Sequence, residues 1–178
     1  MRHFRHLAAL ATTALSLAAA PAALAQTTSV GNANGSASMN ICLAQINCTY
    51  VNYQHGKPTD VVKRTGTLVD WSLNAGSVGG QVQLRILRPT THGAFKVIRS
   101  SAVQTVSSTG INVFSANLKV RRGDVLALSN ATSGIYMASA PAGTCVRYFM
   151  GPLNDGQSMK PSTIAPQLHL LISAHVKG

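Results

Sequence analysis

From about residue 46 onward, apolar residues recur at every second position, and this period limits the fold more than any other feature of the chain. In "QVQLRIL" (81–87), Val82, Leu84 and Ile86 fall on one side, with Gln81, Gln83 and Arg85 on the other. "GTLVDWSL" sets Val69, Trp71 and Leu73 against Leu68, Asp70 and Ser72, which predicts that the odd positions face a core. "AFKVIRS" sets Phe95 and Val97 against Lys96 and Ile98. Side chains alternate across a strand with period 2, whereas a helix would repeat every 3.6 residues. Between these runs lie "NAGSVGG", "RPTTHG", "SSTG", "RRGD" and "GPLNDG", the glycine, proline and asparagine punctuation that turns use. The pattern predicts an all-β protein, a single antiparallel β-sandwich of about eight strands.

The N-terminus reads differently. "MRHFRH" is followed by an alanine-rich apolar run that ends in Ala23-Leu24-Ala25. A basic start, an apolar middle and an A-x-A end are the marks of a secretory signal peptide, so residues 1–25 are expected to be removed. Pro21 and the small residues argue against a retained anchor, and no later run reaches the roughly 18 apolar residues of a membrane helix. The mature chain is then 26–178. Residues 26–45, polar and glycine-containing, are expected to be a flexible terminus, with the β-sandwich over 46–178. The expected location is extracellular or periplasmic.

Loss of Arg2 and Arg5 takes the formal net charge from +11 to +9. Four acids remain, Asp60, Asp70, Asp124 and Asp155, and the chain has no glutamate. Such a balance draws anionic partners: acidic polysaccharide, lipid headgroups or, without specific readout, nucleic acid. In the hairpin 81–99, Leu84, Ile86, Phe95 and Val97 are expected to share the core face. Arg85 and Lys96 then lie almost opposite each other, with Arg88 and Arg99 nearby. Like charges across a ladder destabilise it, so this stripe is the candidate anion-binding site. The bland reading is a solvated face that deters edge aggregation.

Three cysteines, Cys42, Cys48 and Cys145, lie in the exported part and allow one disulfide and one spare thiol. Cys42–Cys48 would close a short loop. A bridge from Cys48 to Cys145 would close a loop of about a hundred residues and restrict the unfolded chain more, by roughly 4–5 kcal/mol in the chain-entropy model. Cys48–Cys145 is therefore the expected pair.

Arg122-Gly123-Asp124 spells an adhesion tripeptide, but it sits in "LKVRRGDVLAL", a strand, a tight turn and a strand. Gly123 supplies a positive φ and Asp124 can accept from nearby backbone amides, so a structural turn is expected. Catalytic machinery is hard to assemble. A glycosidase needs two convergent carboxylates, and Asp60 and Asp155 read as turn residues while Asp70 faces outward. No G-x-S-x-G occurs. His55 and His92 read as turn residues. His169 and His175 bracket the last strand run and are too far apart to share an ion. No cofactor and no metal site are expected. Trp71 reads as core. Tyr50, Tyr53, Tyr136 and Tyr148 would make a stacking platform only if they clustered outside.

"GQVQLRILRP", "GAFKVIRSS", "LKVRRGDVLAL", "GTCVRYFMGPLNDG" and "LHLLISAHV" together resemble a family of secreted bacterial β-sandwich proteins of uncharacterised function, over roughly residues 46–176. The resemblance implies a jelly-roll-like sandwich at the cell exterior and no particular activity. Taken together, the sequence points to a noncatalytic binding or surface-associated module, with anionic polysaccharide or cell envelope as the expected partner. The alternatives are a polysaccharide-acting hydrolase or lyase, and an extracellular protein that self-assembles through sheet edges. The oligomeric state stays open.

Overall fold

The computed structural model describes residues 26–42, 47–130, 134–151 and 153–178. The region read as a signal peptide lies outside the described residues. Fifteen strands follow in order: β1 (Thr27–Asn32), β2 (Cys48–Gln54), β3 (Lys57–Pro58), β4 (Gly66–Ala75), β5 (Gln81–Pro89), β6 (Phe95–Ser100), β7 (Gln104–Thr105), β8 (Gly110–Val120), β9 (Val125–Asn130), β10 (Met137–Ser139), β11 (Thr144–Met150), β12 (Ser158–Met159), β13 (Thr163–Pro166), β14 (Leu168–Leu170) and β15 (Ile172–Lys177). The only helical element among the described residues is a 3₁₀ turn at Thr91–Gly93.

All pairings are antiparallel, as period-2 strands joined by short turns require. One sheet runs β1-β15-β4-β8, a two-stranded ribbon pairs β10 with β14, and a nine-stranded sheet follows β12-β6-β5-β9-β2-β11-β13, with β3 on β2 and β7 on β5. The all-β expectation holds. The chain nevertheless builds more strands than eight and divides them among three sheets.

The four-stranded and nine-stranded sheets share one core. Leu68, Trp71 and Leu73 of β4 and Ala174 and Val176 of β15 pack with Tyr50, Val82, Leu84, Ile86, Leu126, Leu128 and Val146. The Trp71 ring lies 4.5 Å from that of Phe114. A second cluster, Val51, Tyr53, Leu87, Phe95, Val97, Val125, Ala127 and Phe149, joins Leu153 from the segment after β11.

Three readings change. Within the segment expected to be a flexible terminus, residues 27–32 form β1 and pair with β15 over six residues. "LHLLISAHV" is not one strand: β14 ends at Leu170 in the ribbon and β15 starts at Ile172 in the four-stranded sheet. Two register shifts also break the simple alternation. The first, between Leu68 and Asp70, buries both Leu68 and Trp71 and leaves Val69 half-buried. The second sets Ile86 against Arg99 but Leu87 against Val97. One unmatched residue reverses the parity of everything beyond it. Leu84 and Ile86 therefore join the first core while Phe95 and Val97 join the second, and they do not share a face.

The disulfide also differs from expectation. Cys42 pairs with Cys48 across a Cα separation of 6.3 Å, and Cys145 is a free thiol. The β2–β11 register gives the reason. Cys48 lies opposite Met150 and Cys145 opposite Tyr53. The two cysteines sit at opposite ends of the ladder, roughly 17 Å apart at about 3.4 Å per residue, well beyond the ~7 Å Cα span of a disulfide.

Candidate functional site

A groove of about 580 Å³ is assembled from segments remote in sequence. β1 and the residues after it contribute Ser29, Gly31, Asn32 and Asn34. The end of β2 contributes Gln54, and the link from β3 to β4 contributes Thr59, Asp60 and Lys63. β10 and the turn beyond it contribute Ser139 and Pro141, and β14 contributes His169. The lining is mainly hydroxyl, amide and backbone, with one carboxylate, one lysine and one imidazole.

Asp60 is a buried floor residue, only 3% exposed, and not the solvated turn residue its "PTDV" context predicts. The backbone explains this. Val61 bridges to Val125, Leu126 N donates to Asp60 O at 2.9 Å and Val62 N donates to Asp124 O at 2.7 Å. This stitching draws residues 60–62 down onto the start of β9. Asn52, fully buried, then fixes the carboxylate. Its Nδ2 donates to Asp60 Oδ2 at 2.7 Å and to Leu170 O at 2.8 Å, while its Oδ1 accepts from Leu170 N at 2.7 Å. One amide thus clamps β14 to β2 and aims at Asp60, with all its donors used. Thr59 Oγ1 donates to Asp60 Oδ1 at 3.2 Å. Burial raises the Asp60 carboxyl above the ordinary range, and the Asn52 bond, the nearby His169 and the Thr59 bond oppose that rise.

His169 precedes the clamped Leu170 and pairs with Ala138 of β10. Its Nε2 is buried and has no hydrogen-bond partner. An unmet buried polar atom costs on the order of 1–3 kcal/mol, so this nitrogen is incompletely served by the protein itself. Nothing local to "LHLL" signals the nearby Asp60. The partner comes from 109 positions earlier in the chain.

The β5–β6 ladder closes in a register that separates Arg85 from Lys96. Lys96 lies opposite Arg88, and Arg85 opposite Ser100. Arg85 is largely buried, with a side chain 13% exposed; it donates to Ser129 Oγ and Ser100 Oγ and sits 3.6 Å from Asp155. Burial lowers its pKa, and Asp155 opposes that. A smaller pocket of about 140 Å³ lies beside it. Arg88 forms a two-point pair with Asp124: Nε to Oδ1 at 2.8 Å and Nη2 to Oδ2 at 3.0 Å. Lys96 and Arg99 are exposed. None of the four lines the large groove.

The tripeptide turn is structural. Asp124 is 1% exposed, its Oδ2 accepts from Arg121 N at 2.8 Å, and Gly123 has φ +92°. The tyrosines form no outer platform. Tyr50, Tyr53 and Tyr136 are buried, and Tyr148 packs on Tyr50. Asp70 pairs across the ladder with His175, Nδ1 to Oδ1 at 2.6 Å. Among the described residues, no three of His, Cys, Asp or Glu come together to hold a metal, and no helix is long and apolar enough to cross a membrane.

Fold and groove together define an antiparallel all-β protein with an open, polar, hydroxyl- and amide-lined cleft. No family model, curated protein or solved structure matches the chain.

Proposed function

We propose that this is an exported, noncatalytic binding module that holds a segment of anionic polysaccharide, of the kind found in cell envelopes, in the 580 Å³ groove. The groove's lining is the observation that carries the reading. It offers many small hydrogen-bonding groups, Lys63 for an acidic substituent, and only one carboxylate, Asp60, where glycosidic hydrolysis needs two. The formal charge of +9 on residues 26–178 adds long-range attraction for a polyanion. The core shared by two sheets supports the jelly-roll-like arrangement expected of the resembled family.

The test is retention of the oxidised 26–178 chain on immobilised acidic and neutral polysaccharides across a salt series. Retention on acidic glycans that weakens but persists at high salt is the expected result, since charge is screened and shaped hydrogen bonding is not. Equal retention on a polyanion without sugars, lost completely with salt, contradicts a shaped site. A second reading, self-association, is favoured by β8. It is an eleven-residue edge strand of the four-stranded sheet, with Ile111 and Val113 exposed. Concentration-dependent dimers in light scattering that Val113→Lys abolishes would support it, and a monomer at all concentrations would remove it.

A further inference from the structure

We propose that the groove is built around one ligand hydroxyl, held between the Asp60 carboxylate and His169 Nε2, so that its ligand is an acidic sugar whose ring supplies that hydroxyl and whose acid group meets Lys63. This rests on reading the groove as the ligand site, and it names the chemistry of that site.

Asp60 accepts one bond at each oxygen, from Asn52 and Thr59, which leaves acceptor capacity on a carboxylate that offers about four sites. His169 Nε2 is buried without a partner. The two groups sense each other electrostatically, yet no ion pair closes between them among the described residues. The group that completes this arrangement must donate to an acceptor and also engage a ring nitrogen through the same atom. A hydroxyl does both. A ligand carboxylate or sulfate only accepts and is repelled by Asp60. An ammonium only donates, so it serves Nε2 in one tautomer alone, whereas a hydroxyl serves either.

The protein invests rigidity in this point. Asn52 sets Asp60 and the Leu170 backbone with a single fully used amide, so the carboxylate and the strand that carries His169 are fixed relative to each other before any ligand arrives. Ser29, Asn34, Gln54 and Ser139 surround the point with further polar groups suited to ring hydroxyls. Lys63 is exposed, in keeping with reception of an acid group at the solvent side. No charge in the lining besides Asp60, Lys63 and His169 bears on the site.

The test is calorimetric titration of the 26–178 chain with an oligouronate, a sulfated oligosaccharide, a neutral oligosaccharide and polyacrylate. The hydroxylated acids are expected to bind and polyacrylate is not, and the uronate and sulfate arms show which acid Lys63 prefers. Asp60→Asn and His169→Leu are each expected to weaken sugar binding by about ten- to a hundredfold, the scale of a hydrogen bond to a charged group, and His169→Gln to restore part of it. In the wild type, the His169 Nε2 resonance is expected to move as sugar is added, which needs no substitution. Sugar binding that survives both variants with an unmoved His169 signal, or polyacrylate binding as tightly as the sugar with a moved one, overturns the hydroxyl anchor and leaves the groove reading standing. No saccharide binding by the wild type overturns both.

Discussion

Asp124 turns an adhesion-like word into a stability prediction. Its carboxylate is 1% exposed and accepts three bonds, two from Arg88 and one from Arg121 N. The Arg88 side chain is 34% exposed. Asp124→Ala removes all three bonds, but the freed guanidinium regains water, and the loss is counted on the two bonds from Arg88 alone. At the lower end of about 1.5 kcal/mol for each bond to a charged group, the loss is about 3 kcal/mol. Arg88→Ala does the opposite: it strands a buried carboxylate that water reaches poorly. Removing one partner of a buried pair costs roughly 3–5 kcal/mol, so Arg88→Ala is expected to cost at least as much as Asp124→Ala. For a domain of this size, 3 kcal/mol lowers Tm by roughly 6–12 °C. Urea unfolding at pH 7 of the two single variants and the double variant gives the coupling. The double variant is expected to be destabilised by at least 1.5 kcal/mol less than the sum of the singles, since it leaves no charge stranded. Additive losses, or a loss under 1 kcal/mol for Arg88→Ala, would refute the view that this turn is held by a buried ion pair.

Three further outcomes are expected. Tyr136 is buried with an unpartnered hydroxyl, and burial pushes it up to about 12 from 10.0; a pKa raised on folding gives stability that is intact below pH 10 and lost as pH rises toward 12, at about 1.4 kcal/mol per pH unit. Tyr136→Phe should remove that alkaline loss without lowering stability at pH 7, and a fall of 1 kcal/mol at pH 7 would show that the hydroxyl has a partner. Asp60 is likewise raised above its ordinary 3.8 by burial, so its contribution declines as pH climbs through its folded value; Asp60→Asn should be no less stable than wild type at neutral pH and relatively weaker near pH 3, measured by urea midpoints. Alkylation of the unreduced, unfolded chain should label Cys145 alone, and label on Cys42 would contradict the observed Cys42–Cys48 pairing.

How far the sequence reached follows from what sets each feature. Strand identity is local, so the alternation in 81–87 correctly placed Val82, Leu84 and Ile86 in the core. Facing is cumulative. The register shift near Val69 put Leu68 inside together with Trp71 and Leu73, and the shift at Ile98 split Phe95 and Val97 from Leu84 and Ile86; no residue type marks either position. The expected Arg85–Lys96 pairing is absent because the hairpin closes in another register, with Arg88 opposite Lys96 and Arg85 opposite Ser100. The groove was illegible because its chemistry is long-range. Asp60 looks like a turn aspartate and His169 like a strand histidine until Asn52 joins their neighbourhoods through Leu170. A buried-looking asparagine inside "CTYVNY" was the one available signal, since an apolar strand tolerates such an amide only if its bonds are met elsewhere.

The most direct test of the groove as the ligand site is an amide ¹H–¹⁵N spectrum of the 26–178 chain during titration with an oligouronate. The account predicts that shifts concentrate in residues 29–35, 54–63, 138–144 and at His169. Shifts confined to the 85–99 hairpin, with those residues unmoved, would contradict it and return the binding role to the surface arginines and lysine.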